Sequence, residues 1–158
     1  MSSLRSRALE GVRIGDAFTI TRTFTEEDVS QFGDVSRDYN PVHYDGRFAE
    51  ARGFPGRICH GLLVASLITE IGGQLGWLAV RMDLTFKRPV YIGDTVRCTL
   101  TITDMDEKGL AEVRVDCRNR EGVTVLEASL TGVVPQEEQR EILRVMVEEG
   151  DPTNKLAG

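Results

Sequence analysis

The chain is short of the residues that mark stapled, metal-bound or membrane-embedded proteins. Its 158 residues hold three cysteines, two histidines, five prolines and one tryptophan. Cys59, Cys98 and Cys117 form no Cys-x-x-Cys pair and no zinc-ligand spacing, so neither a disulfide framework nor a zinc centre organises the fold. Their odd number, with no signal-peptide pattern at the start, predicts a reducing, cytoplasmic setting. No apolar stretch reaches the ~20 residues that a membrane-spanning helix needs, so no membrane partner is expected. Positive charge is also in deficit: 19 Lys and Arg stand against 25 Asp and Glu, a formal net charge of −6. Nucleic acid calls for a basic face and is not an expected partner. A local basic patch for a phosphorylated ligand remains compatible with that total. There is no internal repeat and no low-complexity linker.

What is present suits one soluble domain. A chain of this length buries roughly 70% of its unfolded surface and needs no staple. The first half reads as helices and loops. Phe18 and Ile20 alternate with Thr19 and Thr21, a short strand. Thr25 offers an N-cap before Glu26, Glu27 and Asp28, and Val29 and Phe32 give that helix its apolar side. Gly33 to Tyr44 is expected to be irregular, with Pro41 forcing Asn40 out of the α region. Asp45 caps a short helix through Phe48 and Ala51. Leu62 to Ile71 is apolar nearly all round, which predicts a helix buried on most sides, ending at Gly72 and Gly73.

The second half has a period of two. Val80 to Lys87, Val96 to Thr103, Ala111 to Arg118 and Leu126 to Val134 alternate apolar with polar, with turn signals at Gly93-Asp94, Lys108-Gly109 and Glu121-Gly122. This predicts antiparallel strands, each with one wet face. The economical solution is an α+β hot-dog fold, an antiparallel sheet wrapped around one long central helix. An ordinary α+β sandwich also satisfies the pattern. Residues 1–135 are read as the single domain. Residues 136–158 are a charged tail that forms a short helix, with Ile142, Val145 and Met146 on one face, or is partly disordered.

The chemistry concentrates in Asp38-Tyr39-Asn40-Pro41-Val42-His43. A carboxylate and an imidazole five residues apart across a proline-bent turn can converge on one water. One then accepts a proton as oxygen attacks carbon, and the other supplies a proton to the adjacent carbon. The plainer reading is that Asp38 caps a turn. Gly61 opens the buried helix, where free N–H groups and partial positive charge could stabilise a developing enolate oxygen; alternatively it only permits a tight loop-to-helix transition. His60 is either part of the site or a structural histidine. Ser66 bonds either to the catalytic turn or back to its own helix. Glu70 needs a partner if buried.

These segments resemble the MaoC-like family. Ser36 to Asp45 is similar to its hydratase-2 motif, His60-Gly61-Leu62-Leu63-Val64-Ala65-Ser66 to the start of its central helix, and Phe86 to Asp94 to its strand and turn. The resemblance spans about Phe24 to Val134. It implies a hot-dog dimer that reversibly hydrates trans-2-enoyl-CoA to (3R)-3-hydroxyacyl-CoA, with coenzyme A as part of the substrate and no separate cofactor or metal. Residue by residue it implies Asp38 and His43 as the catalytic pair, Gly61 as the oxyanion-hole amide, and Asn40 and Ser66 as residues shaping the site. Arg57, Lys87 and Arg88 are candidates for the coenzyme A phosphates. Two other functions compete. A hot-dog thioesterase would need a carboxylate on the central helix, where Glu70 is the only one; its family position falls at Thr69. A non-catalytic acyl-CoA binder would have no need of both Asp38 and His43.

Overall fold

A computed structural model describes residues 3–156; positions 1–2 and 157–158, at the ends of the two expected ranges, lie outside the described residues. The organising element is helix α4 (Gly61–Leu75), fifteen residues with Leu63, Val64, Ala65, Leu67, Ile68, Ile71 and Leu75 all buried. An apolar surface on nearly every side must be covered from nearly every side. Each fully buried Leu or Ile contributes about 1.5–3 kcal/mol, so the demand is strong.

A five-stranded antiparallel sheet meets it. Its strands are β1 (Ala17–Thr23), β2 (Leu78–Phe86), β3 (Thr95–Met105), β4 (Leu110–Arg118) and β5 (Thr124–Val133), in the order β1-β3-β4-β5-β2. The register aligns the apolar sets: Leu100 faces Phe18 on one side and Val115 on the other, and Val113 faces Leu130. Phe18, Val96, Cys98, Leu100, Ile102, Val113, Val115, Cys117, Leu126 and Leu130 are buried in one core with α4. This is the hot-dog arrangement.

Three features depart from the sequence reading. Helix α4 does not stop at Gly72 and Gly73; it runs to Leu75 and ends at Gly76, whose φ of 69° is left-handed. Gly72 serves packing, since a Cβ there would fall 3.3 Å from the Trp77 ring. Strand β2 lies at the sheet edge and its apolar residues are not buried: Leu78 is 72% exposed, Val80 68% and Phe86 52%. Finally, the termini are built into the fold. Helix α1 (Ser3–Glu10), for which the sequence offered no apolar periodicity, buries Ala8 and Arg5. Helix α5 (Glu137–Glu148) turns Leu143 and Met146 inward and leaves Ile142 and Val145 exposed, so its buried stripe is one position from the expected face.

Arg5 Nε lies 3.2 Å from Asp151 Oδ2, and the Gln74 and Asn154 amides bond reciprocally at 3.1 Å. Arg144 donates to the Leu9 carbonyl at 3.2 Å. The C-terminal segment therefore closes over the far end of α4. Between α1 and β1, and between the other elements, connections are short. Helices α2 (Glu26–Ser36) and α3 (Gly46–Ala51) flank a 3-10 turn at Pro41–His43. Among the described residues no helix is long and apolar enough to cross a membrane.

If burial of α4 holds the sheet in place, Ile71→Ala should lower unfolding free energy by about 2–5 kcal/mol, the range for emptying a packed aliphatic site. Urea titration by circular dichroism measures it; a loss under about 1 kcal/mol would deny α4 that role.

Candidate active site

Helix α2 begins at a reciprocal capping box, Thr25 with Asp28, and ends at Arg37 in a left-handed conformation with φ 59°. That reversal delivers the chain to Asp38. Its Oδ1 accepts the Asn40 backbone N–H at 3.2 Å, an Asx turn that fixes the carboxylate and leaves Oδ2 free to face inward. Asn40 then caps the 3-10 turn, its Oδ1 accepting the Val42 N–H at 3.2 Å, and Pro41 supplies the first residue with a preset φ.

The turn presents His43, which is buried. Its Nδ1 lies 2.8 Å from the Ile58 carbonyl oxygen. A carbonyl only accepts, so Nδ1 carries the hydrogen and Nε2 is left with a lone pair. Nε2 lies 3.7 Å from Asp38 Oδ2. That gap is too long for a direct hydrogen bond. It suits one water donating a hydrogen to each acceptor, with its own lone pairs turned elsewhere.

His60 closes the site from below. It is the N-cap of α4, yet its side chain makes no capping bond. Instead Nε2 reaches the Asp38 carbonyl at 3.0 Å, and the ring stacks on His43 with centroids 3.9 Å apart at 32°. Burial pushes its pKa below the ordinary histidine value; the bond to Asp38 opposes this and repulsion from His43 adds to it. Asp38, His43 and His60 bring ligand-type atoms within 4.8 Å of one another. Two of the four ring nitrogens are already engaged, His43 Nδ1 by the Ile58 carbonyl and His60 Nε2 by the Asp38 carbonyl.

A cavity of about 460 Å³ opens beside the pair. Asp38, His43, Ile58, Gly61, Leu62, Phe86, Lys87 and Arg88 are among its lining residues, with Phe54, Val64, Val90 and Val125 adding apolar wall. At its margin α4 begins, and the N–H groups of a first helical turn have no intrahelical partner. A Cβ on Gly61 would fall 2.8 Å from the Phe86 ring, so glycine there serves close approach. Cys59 also lines the cavity, but burial pushes its thiol up to about 12, with Asp94 and Asp28 adding to the rise, which leaves it protonated and a poor nucleophile. A larger depression of about 670 Å³ lies on the outer face of the sheet, lined by Thr99, Thr101, Arg114, Asp116 and their neighbours. It offers no imidazole or thiol, and Asp116 is already paired with Arg118.

The structure therefore gathers Asp38, His43, Gly61, Lys87 and Arg88 around one cavity. It does not bring the other candidates there. Asn40 acts as a cap and does not line the cavity. Ser66 bonds back to the Leu63 carbonyl at 2.6 Å. Arg57 is paired with Glu26 and donates to the Tyr44 carbonyl at 3.4 Å. Glu70 is paired with Arg22, away from the cavity, and Thr69 bonds to the Ser66 carbonyl at 2.7 Å. Sequence reasoning gave little weight to His60, and did not name Phe86 as a cavity residue.

A family model described as "MaoC like domain" matches residues 12–124. The chain belongs to the MaoC-like family. Among curated MaoC-like relatives, the (R)-specific enoyl-CoA hydratase of Rhodospirillum rubrum is 35% identical over 131 residues, 80% of this chain and 90% of that protein. The mitochondrial 3-hydroxyacyl-[acyl-carrier-protein] dehydratase of Arabidopsis thaliana is 31% identical over 140 residues, 85% of this chain and 83% of that one. The solved (R)-hydratase from A. caviae involved in PHA biosynthesis superposes with a TM-score of 0.74 at 29% identity, covering 80% of this chain and 99% of that one. The shared MaoC-like fold is thus the hot dog.

Burial of His60 carries a pH dependence. In the unfolded chain its imidazole takes up a proton near pH 6.5, whereas in the fold it does so only at lower pH. Between those values the unfolded state binds more protons, so stability should fall as pH drops through that window and be fully present above it. Melting temperatures between pH 7.5 and 5.5 should show this fall, with a shallower slope in His60→Gln. An identical slope in the variant would assign the effect elsewhere.

Proposed function

We propose that this chain reversibly hydrates trans-2-enoyl-CoA to (3R)-3-hydroxyacyl-CoA, using Asp38 and His43 as its acid–base pair. The observation that carries this reading is the 3.7 Å separation of His43 Nε2 and Asp38 Oδ2 on the wall of an apolar cavity. With its Nδ1 hydrogen given to Ile58, His43 offers Nε2 as the base. Water held between Nε2 and the carboxylate gives up a proton to Nε2 as its oxygen bonds to the β carbon. The imidazolium, its charge balanced by the Asp38 carboxylate that also orients the water, passes that proton to the α carbon, so the two groups act as one acid–base pair. Negative charge that gathers on the thioester oxygen is met by the Gly61 N–H at the positive end of α4. Dehydration is the same path reversed. Coenzyme A enters as part of the substrate. In this reading Lys87 and Arg88, on the cavity border, meet its phosphates, Lys87 leaving its 3.7 Å pairing with Glu127 to do so; Arg57, engaged by Glu26 and off the cavity wall, and Ser66, bonded back to Leu63, take no direct part. The names of the relatives, hydratases and dehydratases of acyl thioesters, support the same reaction class. The thioesterase reading loses its nucleophile or base, because Glu70 is paired with Arg22 outside the cavity.

The working unit in this reading is a homodimer. An edge strand with unpaired backbone and exposed Leu78, Val80 and Phe86 is an aggregation hazard in a monomer and a pairing surface in a dimer. A second copy adding its own β2 about a two-fold axis would satisfy both edges at once. Phe86 belongs to that strand and to the cavity wall, so pairing would also complete the site. We place the protein in the cytoplasm, consistent with three free thiols.

With crotonyl-CoA, the enoyl absorbance should fall without thiol release. Asp38→Asn and His43→Ala should each reduce turnover by at least ~100-fold, the scale of a lost acid–base group. Thiol release would instead indicate hydrolysis, and near-normal turnover in either variant would remove that residue from the mechanism. Light scattering should return twice the 17.5 kDa chain mass, and Val80→Lys should shift it towards one. A wild-type monomer would sink the dimer.

A further inference from the structure

His60 has none of the ordinary reasons for its place. As N-cap of α4 it makes no capping bond, so a serine or aspartate would serve the helix better. Two percent or less of it is exposed, so solubility is not its use. Its Nδ1 is buried with no hydrogen-bond partner, an arrangement that costs stability and calls for a compensating role. Two contacts of the ring point to the reacting groups. Nε2 lies 3.0 Å from the carbonyl of Asp38, twenty-two residues earlier, and the ring face lies against His43 with centroids 3.9 Å apart. Phe32 closes the other side at 4.9 Å, and the Tyr44 hydroxyl stands 3.5 Å from Nε2.

From this we infer that His60 is a positioning residue: its Nε2–H ties the Asp38 backbone to the start of α4, its ring is the floor under His43, and together they hold the two reacting groups at their working separation. The inference rests on the hydration reading above and deepens it. The logic is geometric. Asp38 sits on an exposed turn, held locally by Asn40 and Ser36, and nothing in that turn fixes it relative to Gly61. The bond to His60, the residue just before Gly61, supplies that link. One side chain thereby sets the carboxylate, the imidazole and the oxyanion amide in a common frame. Misplacement of a catalytic group by about 1 Å can cost on the order of 100-fold in rate.

The bond demands a particular tautomer. Since the Asp38 carbonyl only accepts, His60 must carry its hydrogen on Nε2, opposite to His43, which carries it on Nδ1. The chain has only these two histidines, so their ring nitrogens can be read directly by long-range 15N–1H correlation on the wild-type protein at pH 7. One Nε2–H and one Nδ1–H ring are expected. A His60 ring with bare Nε2 overturns the inference, whatever the turnover.

Kinetics supply the second arm, with crotonyl-CoA. His60→Phe keeps a ring against His43 and loses the donor; His60→Gln restores an N–H at similar reach. His60→Phe should lower kcat at least about tenfold with KM changed by less than about threefold, and His60→Gln should recover most of that loss. Near-wild-type kcat in His60→Phe, or equal damage in both variants, overturns the inference. If the wild-type protein fails to hydrate crotonyl-CoA, the functional reading falls instead, and the tautomer measurement still decides the role of His60.

Discussion

Everything at the site is referred to one buried helix. Because α4 is apolar on nearly all sides, the sheet must wrap it, and the wrapping fixes where its first residue emerges. The segment ahead of it is stitched to the sheet in turn: the Cys59 N–H bonds to the Val90 carbonyl at 2.7 Å, and Ile58 forms a bridge with Tyr91. The Ile58 carbonyl, so placed, receives Nδ1–H of His43 and thereby selects which nitrogen is free for chemistry. A hydrophobic demand in the core is thus converted, through two backbone bonds, into a tautomer at the surface of a cavity.

The electrostatics follow the same economy. The chain's net charge is −6, while the cavity carries the exposed Asp38 carboxylate against Lys87 and Arg88 on its border. His60, buried without an acid partner close to its bare nitrogen, is kept neutral by desolvation. Two imidazoles can then stack without mutual repulsion. A charged His60 would compete for Asp38 and repel positive charge on the His43 ring 3.9 Å away.

Much of this was legible in the residues, and the limits have physical causes. Strands β3, β4 and β5 were visible because each has one wet and one dry face, and α4 because its apolar residues cover most of its circumference. That Asp38 and His43 could converge was readable from Pro41 and the spacing, but those left the turn-cap reading open; the resemblance singled out the pair, and the structure gives Asp38 an Asx turn as well. Strand β2 carries the same alternation as its neighbours, yet its apolar side is exposed; a period of two tells that a strand has two faces, not what covers them. Gly72 looked like a stop but is a seat for Trp77, a contact fixed only by the tertiary fold. Ser66 matched a family serine in position and Arg57 was a candidate by its charge, but their hydrogen bonds run to Leu63 and Glu26, and partner choice is decided by rotamer and distance rather than by sequence neighbourhood. His60 was the hardest to read, since its partner Asp38 lies twenty-two residues away.

The two ends of α4 have opposite tasks, and the second makes the first possible. At the N-terminal end, Gly61 opens on the cavity with no side chain of its own, which lets the Phe86 ring of the cavity wall pack close against it. A helix held only by sideways apolar packing resists sliding weakly along its axis, because dispersion is non-directional. The far end supplies direction. Gly76 reverses the chain, Trp77 lies over Gly72 and Gly132, and Gln74 is tied by two amide bonds to Asn154 of the C-terminal segment. Hydrogen bonds have a fixed length, so this end sets the axial position that the apolar core leaves soft. On that account α1 and α5 are more than decoration of the domain. They anchor the distal end of the helix whose proximal end opens on the cavity beside Asp38 and His43, so the position of the Gly61 amide is set together with the closure formed there.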